Sequence, residues 1–111
     1  MSSREVQRLE DMAAALVAIR EHLERGDLSD NLVYDAVRMR LIEIGEAVKA
    51  LPAELLDQES GIAWDGAAGM RDWLTHHYFD TDHSIVRATV ENDLPDLEQA
   101  VQRLLRLAEK G

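Results

Sequence analysis

The chain has 111 residues, a length typical of one domain, and it contains no cysteine, which excludes disulfides, thiolate zinc sites and a cysteine nucleophile. Its 22 acidic and 12 basic residues give a net charge of −10. This balance excludes the broad basic surface of a protein that coats nucleic acid, although a small arginine-centred site could still act on RNA.

The N-terminal segment, MSSREVQRLEDM, lacks the basic head and apolar run of a signal peptide. No stretch of the chain approaches the ~20 apolar residues of a membrane span. We therefore expect a cytoplasmic protein that forms one domain over residues 1–111 and has no membrane partner.

Apolar residues spaced three and four apart predict a first helix from Val6 to near Gly26. The same spacing predicts a second helix, which begins at a cap on Ser29 or Asp30 and ends before Pro52. The segment PAELL that starts at Pro52 favours a short third helix.

Residues 62–79 are mostly helix-forming, and a last helical stripe runs from Ile85 to Ala108 with Pro95 in its interior. Proline should bend or break that helix, because it lacks an N–H and clashes with the preceding turn. No alternating pattern predicts a strand. The fold class expected is all-α, an antiparallel bundle of four or five helices whose last helix is kinked at Pro95.

The segment RDWLTHHYFDTDH, residues 71–83, concentrates the reactive side chains of the chain. Asp72 and His76 are four apart, so on a helix the carboxylate could hold an imidazole N–H. Arg71 and His76 lie about 140° apart around a regular helix. They can therefore meet only if the helix ends near His76 or if a second chain supplies one of them.

An arginine and a histidine are the minimum set for metal-free RNA cleavage, because the guanidinium binds phosphate and the imidazole moves a proton. Tyr78, two residues beyond His76, offers a hydroxyl that could bind phosphate or be modified. In an alternative interpretation, the same residues have only structural roles. Arg71 and Asp72 would then be solvated helix charges, His76 a charge at a helix end, and Tyr78 a packing residue.

A metal site is a second alternative, because His76, His77, Asp80, Asp82 and His83 are ligand types for zinc, manganese or iron. Their spacing matches no helix-borne ligand pair such as H-E-x-x-H, and helix capping by the DTDHS segment explains the aspartates equally well. We expect no metal and no other cofactor.

Three segments together resemble the HEPN superfamily, and in particular its HepT-like toxins of the MNT/HEPN type. They are LIEIGEAVKAL (41–51), IAWDGAAGMRDWLTHHYFDTDHSIV (62–86) and DLPDLEQAV (93–101). The resemblance implies a small all-α bundle that forms a homodimer. It also implies a metal-independent endoribonuclease whose R-x4-H motif, from both protomers, lines a cleft at the dimer interface.

The family motif falls on this chain residue by residue. Its arginine matches Arg71, the following polar residue Asp72, its histidine His76, and the tyrosine of the extended R-x4-H-x-Y form Tyr78. The resemblance implies that Arg71 and His76 are catalytic, that Asp72 supports them, and that Tyr78 belongs to the site.

The resemblance also implies a role as the toxin of a type VII toxin–antitoxin pair, with RNA as substrate. Its antitoxin would be an MNT-type nucleotidyltransferase that silences the toxin by transferring AMP to Tyr78. The alternative is a non-catalytic HEPN module that uses the same cleft to bind a nucleotide or its nucleotidyltransferase partner.

Other residues of these segments have structural interpretations. Glu46 could contribute a carboxylate to the cleft, but a solvated helix glutamate is the more common case. Gly45, Gly66 and Gly69 are expected to permit close helix packing. Two large aromatic residues, Trp64 and Trp73, are expected to anchor the core or a dimer interface.

Overall fold

The computed structural model describes residues 1–77, 79 and 82–110, and these ranges contain helices and turns but no strand. Six α-helices follow one another: α1 (Ser3–Arg25), α2 (Asn31–Lys49), α3 (Ala53–Leu56), α4 (Trp64–His76), α5 (His83–Ala88) and α6 (Leu94–Lys110). The predicted all-α bundle is confirmed. Within the described ranges, no helix combines the length and the apolar content needed to cross a bilayer.

The two longest helices begin where the sequence places a cap. At α1, Ser2 and Glu5 form a capping box, in which each side chain accepts the other residue's backbone N–H. At α2, the carboxylate of Asp30 accepts the N–H of Leu32 at 2.8 Å. Both predicted starts are therefore close to the observed ones.

The second helix, α2, is central, because it packs against both α1 and α4, while α1 also packs against α6. The core is largely aliphatic. Its most deeply buried large side chains are Leu9, Met12, Ile19, Val37, Leu74, Val86, Val101 and Leu104. Since these residues come from five of the six helices, one contiguous core orients α4 relative to α2.

The start of α4 is anchored by Trp64, which is only 8% exposed. Its indole N–H donates to the carbonyl oxygens of Leu56 at 2.9 Å and Glu59 at 3.1 Å, so it ties α4 to α3 and to the 3₁₀ turn after α3. The second tryptophan, Trp73, is half-buried against the core and stacks on His77. Trp64 is thus confirmed as a core anchor.

The interruption predicted at Pro95 takes the form of a π-helical turn, Thr89–Asp93, between α5 and α6. Here the N–H of Leu94 donates to the carbonyl of Thr89, five residues earlier. The wider turn suits Pro95, which has no N–H to donate and whose ring would crowd the carbonyl of Glu91 in a regular helix. Regular α-helix is thus interrupted just before Pro95, which lies in the first turn of α6 rather than in a helix interior.

The role of Trp64 can be tested by removing its N–H alone. We expect Trp64→Phe to lower the free energy of unfolding by about 1–3 kcal/mol, because the buried Leu56 carbonyl loses its partner. The matched control is Trp73→Phe, since the Trp73 N–H donates to no acceptor in the described ranges. Urea unfolding followed by circular dichroism measures both. Equal losses in the two variants would contradict this role.

Candidate functional site

The candidate site lies where α2 passes over α4 at Gly45, which is buried. A Cβ at Gly45 would overlap the Cβ of Arg71 and lie 2.9 Å from the carbonyl oxygen of Ala67. Gly45 is confirmed as a packing residue. The same prediction is wrong for two glycines of α4 among the described residues, where Gly66 makes only an ordinary contact and nothing lies within 4 Å of a Cβ at Gly69.

The close approach brings Arg71 against two carboxylates. Its Nη2 forms an ion pair with Glu46 of α2, and its Nη1 donates to Asp72 Oδ1 at 3.1 Å. The bond to Asp72, and then that to Glu46, raise the pKa of the Arg71 guanidinium above its ordinary value. Its Nε is shielded from solvent and has no acceptor among the described residues.

The Asp72 carboxylate is shared between two helices. Its Oδ1 accepts from Lys49 Nζ of α2 at 2.7 Å as well as from Arg71. These two bonds lower the pKa of the Asp72 carboxyl below its ordinary value of 3.8, and the bond from Lys49 has the larger effect. Asp72 therefore stays ionised at neutral pH and bridges two cations.

The imidazole of His76 does not bind the Asp72 carboxylate, so the predicted contact between these groups is wrong. Its Nδ1 instead lies 2.7 Å from the main-chain oxygen of Asp72, one helical turn earlier. Because that oxygen can only accept, Nδ1 carries the proton and Nε2 is the acceptor in the neutral ring. The exposed His76 is therefore oriented with Nε2 as the nitrogen that can take up a proton.

Within this chain, Arg71 and His76 form no hydrogen bond with each other in the described ranges. Both residues lie on α4, which ends at His76. A helix end near His76 was one of the two conditions under which they could meet. Tyr78, the remaining motif residue, lies outside the described residues. The structure thus places Arg71 with Asp72 on one side of the site and His76 at the helix end.

The other histidines of the segment make aromatic contacts. His77 stacks on Trp73 with ring centroids 5.2 Å apart, and His83 stacks on the buried Tyr34 of α2 at 3.6 Å. Asp82 caps α5 by accepting the N–H of Ser84 at 2.8 Å. The contact with Tyr34 ties the C-terminal end of the segment to α2.

For the metal alternative, Asp80 lies outside the described residues. Among the residues described, no three or more histidine and acidic side chains are placed to hold a metal ion.

Sequence reasoning missed Lys49 and left Glu46 outside the catalytic set, yet both contact the motif. They stand three apart in GEAVK, one turn along the same face of α2. That spacing could have indicated a charged face directed at another helix. It could not indicate that the facing residues are Arg71 and Asp72.

Comparison with known proteins gives a consistent result. A family model described as "Ribonuclease HepT-like" matches residues 6–104. A Thermococcus cleftensis protein, provisionally named ribonuclease HepT, is 35% identical over 100 residues, which cover 86% of this chain and 91% of that protein.

Two further relatives are also provisionally named RNases. The one from Caldanaerobacter subterraneus subsp. tengcongensis is 43% identical over 63 residues, 57% of this chain and 56% of that protein. The one from Methanocaldococcus jannaschii is 34% identical over 79 residues, 71% of this chain and 65% of that protein. The match thus spans less than two thirds of either relative's length. No solved structure matches the chain significantly.

The close approach at Gly45 can be tested against Gly69, since both lie inside helices and one is crowded while the other is open. Alanine improves helix propensity at both positions by about 1 kcal/mol. At Gly45 the added methyl group also overpacks the contact with Arg71, which costs about 1–3 kcal/mol. In urea unfolding, we therefore expect Gly45→Ala to be less stable than Gly69→Ala by about 1–3 kcal/mol. Equal stabilities would show that the contact is not tight.

The charge bridge can be tested by the titration of Asp72. We expect NMR to find its carboxyl pKa below 3.8, and Lys49→Met to raise it, because Lys49 is the principal cause of the shift. A lowered folded-state pKa contributes stability above the ordinary pKa, and this contribution is lost as the pH falls through the folded value. Lys110→Met, the same change at the chain's other lysine, should leave Asp72 unaffected. An unshifted Asp72 would contradict the bridge.

Proposed function

This chain belongs to the HepT-like ribonuclease family, and from that membership we propose that it is a metal-independent endoribonuclease. Arg71 and His76 carry the chemistry, and Asp72 supports them. The observation that best supports this proposal is the orientation of His76, whose Nδ1 is held by a main-chain oxygen so that Nε2 can exchange a proton with RNA.

In the proposed reaction, the ribose 2′-oxygen attacks the phosphorus of the adjacent phosphodiester. That oxygen bonds to phosphorus while the bond from phosphorus to the 5′-oxygen breaks, which yields a 2′,3′-cyclic phosphate and a free 5′-hydroxyl. His76 Nε2 takes the 2′-hydroxyl proton, and a second imidazole gives a proton to the leaving 5′-oxygen. Arg71 stabilises the negative charge that develops on the phosphate oxygens.

A homodimer would supply the second imidazole. No hydrogen bond joins Arg71 to His76 of the same chain in the described ranges, since Arg71 is held beside Glu46 and Asp72 while His76 stands at the end of α4. A two-fold axis near that helix end would place His76 of each protomer in one cleft. One histidine could then act as the base and the other as the acid.

The cellular role that we propose is the toxin of a type VII toxin–antitoxin pair. Its antitoxin is an MNT-type nucleotidyltransferase that attaches AMP to Tyr78, two residues beyond His76. The nucleotide would add bulk and negative charge near Arg71 and His76, where the RNA phosphate must bind. Inhibition would follow from competition for the same cationic site.

The ribonuclease proposal is tested by RNA cleavage in EDTA, after mass spectrometry has established that Tyr78 is unmodified. We expect His76→Ala to lower the cleavage rate by about 10²- to 10⁴-fold, because a proton-transfer group is lost. Arg71→Ala should lose a comparable factor through the phosphate charge. His77→Ala and Arg25→Ala are the controls, since neither belongs to the proposed machinery, and both should retain cleavage.

Two results would contradict this proposal. Cleavage that stops in EDTA and returns with a divalent metal would favour metal-dependent chemistry. No cleavage by folded, unmodified wild-type protein, with binding of AMP or of the nucleotidyltransferase retained in His76→Ala, would favour the non-catalytic binding module.

A further inference from the structure

A chain of four charged side chains connects α2 to α4 beside the motif. Glu46 pairs with Arg71, Arg71 contacts Asp72, and Asp72 contacts Lys49. The two cations therefore come from different helices and share one carboxylate. Elsewhere in the described ranges, Arg8, Arg20, Arg40 and Arg103 each pair with a carboxylate of their own.

The two cationic groups are close enough to hold one phosphate. Arg71 Nη1 lies 3.1 Å from Asp72 Oδ1 and Lys49 Nζ lies 2.7 Å from the same oxygen, so these nitrogens are at most 5.8 Å apart. A phosphate group carries several acceptor oxygens and can therefore accept from both cations at once. The Asp72 oxygen marks a position between them where negative charge is already bound.

Both cations also keep donors for a ligand. A lysine ammonium has three N–H groups, and Lys49 directs one of them at Asp72. A guanidinium has five, and the two terminal nitrogens of Arg71 carry four of them, of which one is directed at Asp72 and one at Glu46. A phosphate could thus bind alongside Asp72 rather than only in its place.

The four side chains are accessible to a ligand. Their exposed fractions are 43% for Lys49, 47% for Asp72, 29% for Arg71 and 52% for Glu46. Exposed ion pairs contribute little to stability, so exchanging a carboxylate for a phosphate here costs little. Two carboxylates balance two cations, which keeps the site neutral until a phosphate arrives.

We infer that Lys49 is a second phosphate-binding residue, which with Arg71 holds one phosphate of the RNA backbone. Asp72 keeps the two cations side by side, and Glu46 holds the guanidinium until it is exchanged for the ligand. This inference rests on the proposed RNA substrate but not on cleavage. It assigns α2 a direct part in binding, in addition to its part in packing.

The test is the salt dependence of binding to a fluorescent 2′-O-methyl RNA oligonucleotide, which lacks the nucleophilic hydroxyl and cannot be cleaved by the proposed reaction. Loss of one phosphate contact to a single strand flattens the plot of log affinity against log salt by about 0.7. We expect Lys49→Met to weaken binding and flatten the slope by about that amount. Lys110→Met, at the only other lysine, should match the wild type.

A double-mutant cycle separates direct binding from an effect through Asp72. If Lys49 contacts phosphate, Lys49→Met should flatten the slope in the Asp72→Asn background as it does in the wild type. If Lys49 only positions Asp72, Lys49→Met should have no further effect in that background. Circular dichroism of each variant checks that it is folded.

The inference is overturned if Lys49→Met keeps the wild-type slope, if its effect vanishes in Asp72→Asn, or if the wild type does not bind the oligonucleotide. Failure of the ribonuclease proposal is a different result. Wild-type protein that binds with the Lys49-dependent slope but does not cleave ordinary RNA would retain the two-cation site and remove only the catalysis.

Discussion

The close approach of α2 and α4 at Gly45 is the constraint on which the candidate site depends. Without a side chain at this position, the backbone of α2 can lie directly against Arg71 and Ala67. The neighbours of Gly45 on α2, Glu46 and Lys49, then reach the motif residues of α4. A bulkier residue would separate the helices and lengthen both ion pairs, so packing and electrostatics here have one cause.

The central position of α2 in the bundle fixes where this contact lies. One face of α2 packs against α1, and another packs against α4. Buried Ile44 precedes Glu46, buried Val48 lies between Glu46 and Lys49, and both apolar residues belong to the core cluster. The aliphatic core therefore sets the separation of the helices, while the exposed ion pairs add little stability and act mainly to arrange cations.

An acidic chain can still present a local site for phosphate. The net charge of −10 repels nucleic acid at long range, but a ligand phosphate in contact is governed by the groups within a few ångströms. Arg71 and Lys49 provide two positive charges there, which Glu46 and Asp72 balance in the absence of a ligand. The proposed two-cation site would therefore combine weak general affinity for RNA with a defined position for one phosphate.

Helix periodicity, caps and proline were sufficient to predict most of the fold. The spacing of apolar residues predicted α1 and α2, Asp30 was one of two candidate caps, and Pro95 indicated the interruption that became a π-helical turn. These features are local, because each depends on residues within one or two turns of one another. The two errors at Gly66 and Gly69 arose because a glycine does not reveal what lies opposite it.

By itself, the sequence determined the helical class, the family resemblance and the identity of the motif residues Arg71, Asp72, His76 and Tyr78. Only the tertiary structure decided that Asp72 binds Lys49 and Arg71 rather than the His76 ring, and that Glu46 pairs with Arg71. The physical reason is that both partners come from α2, more than twenty residues away in sequence. Their contact depends on how a whole core packs, which no local spacing encodes.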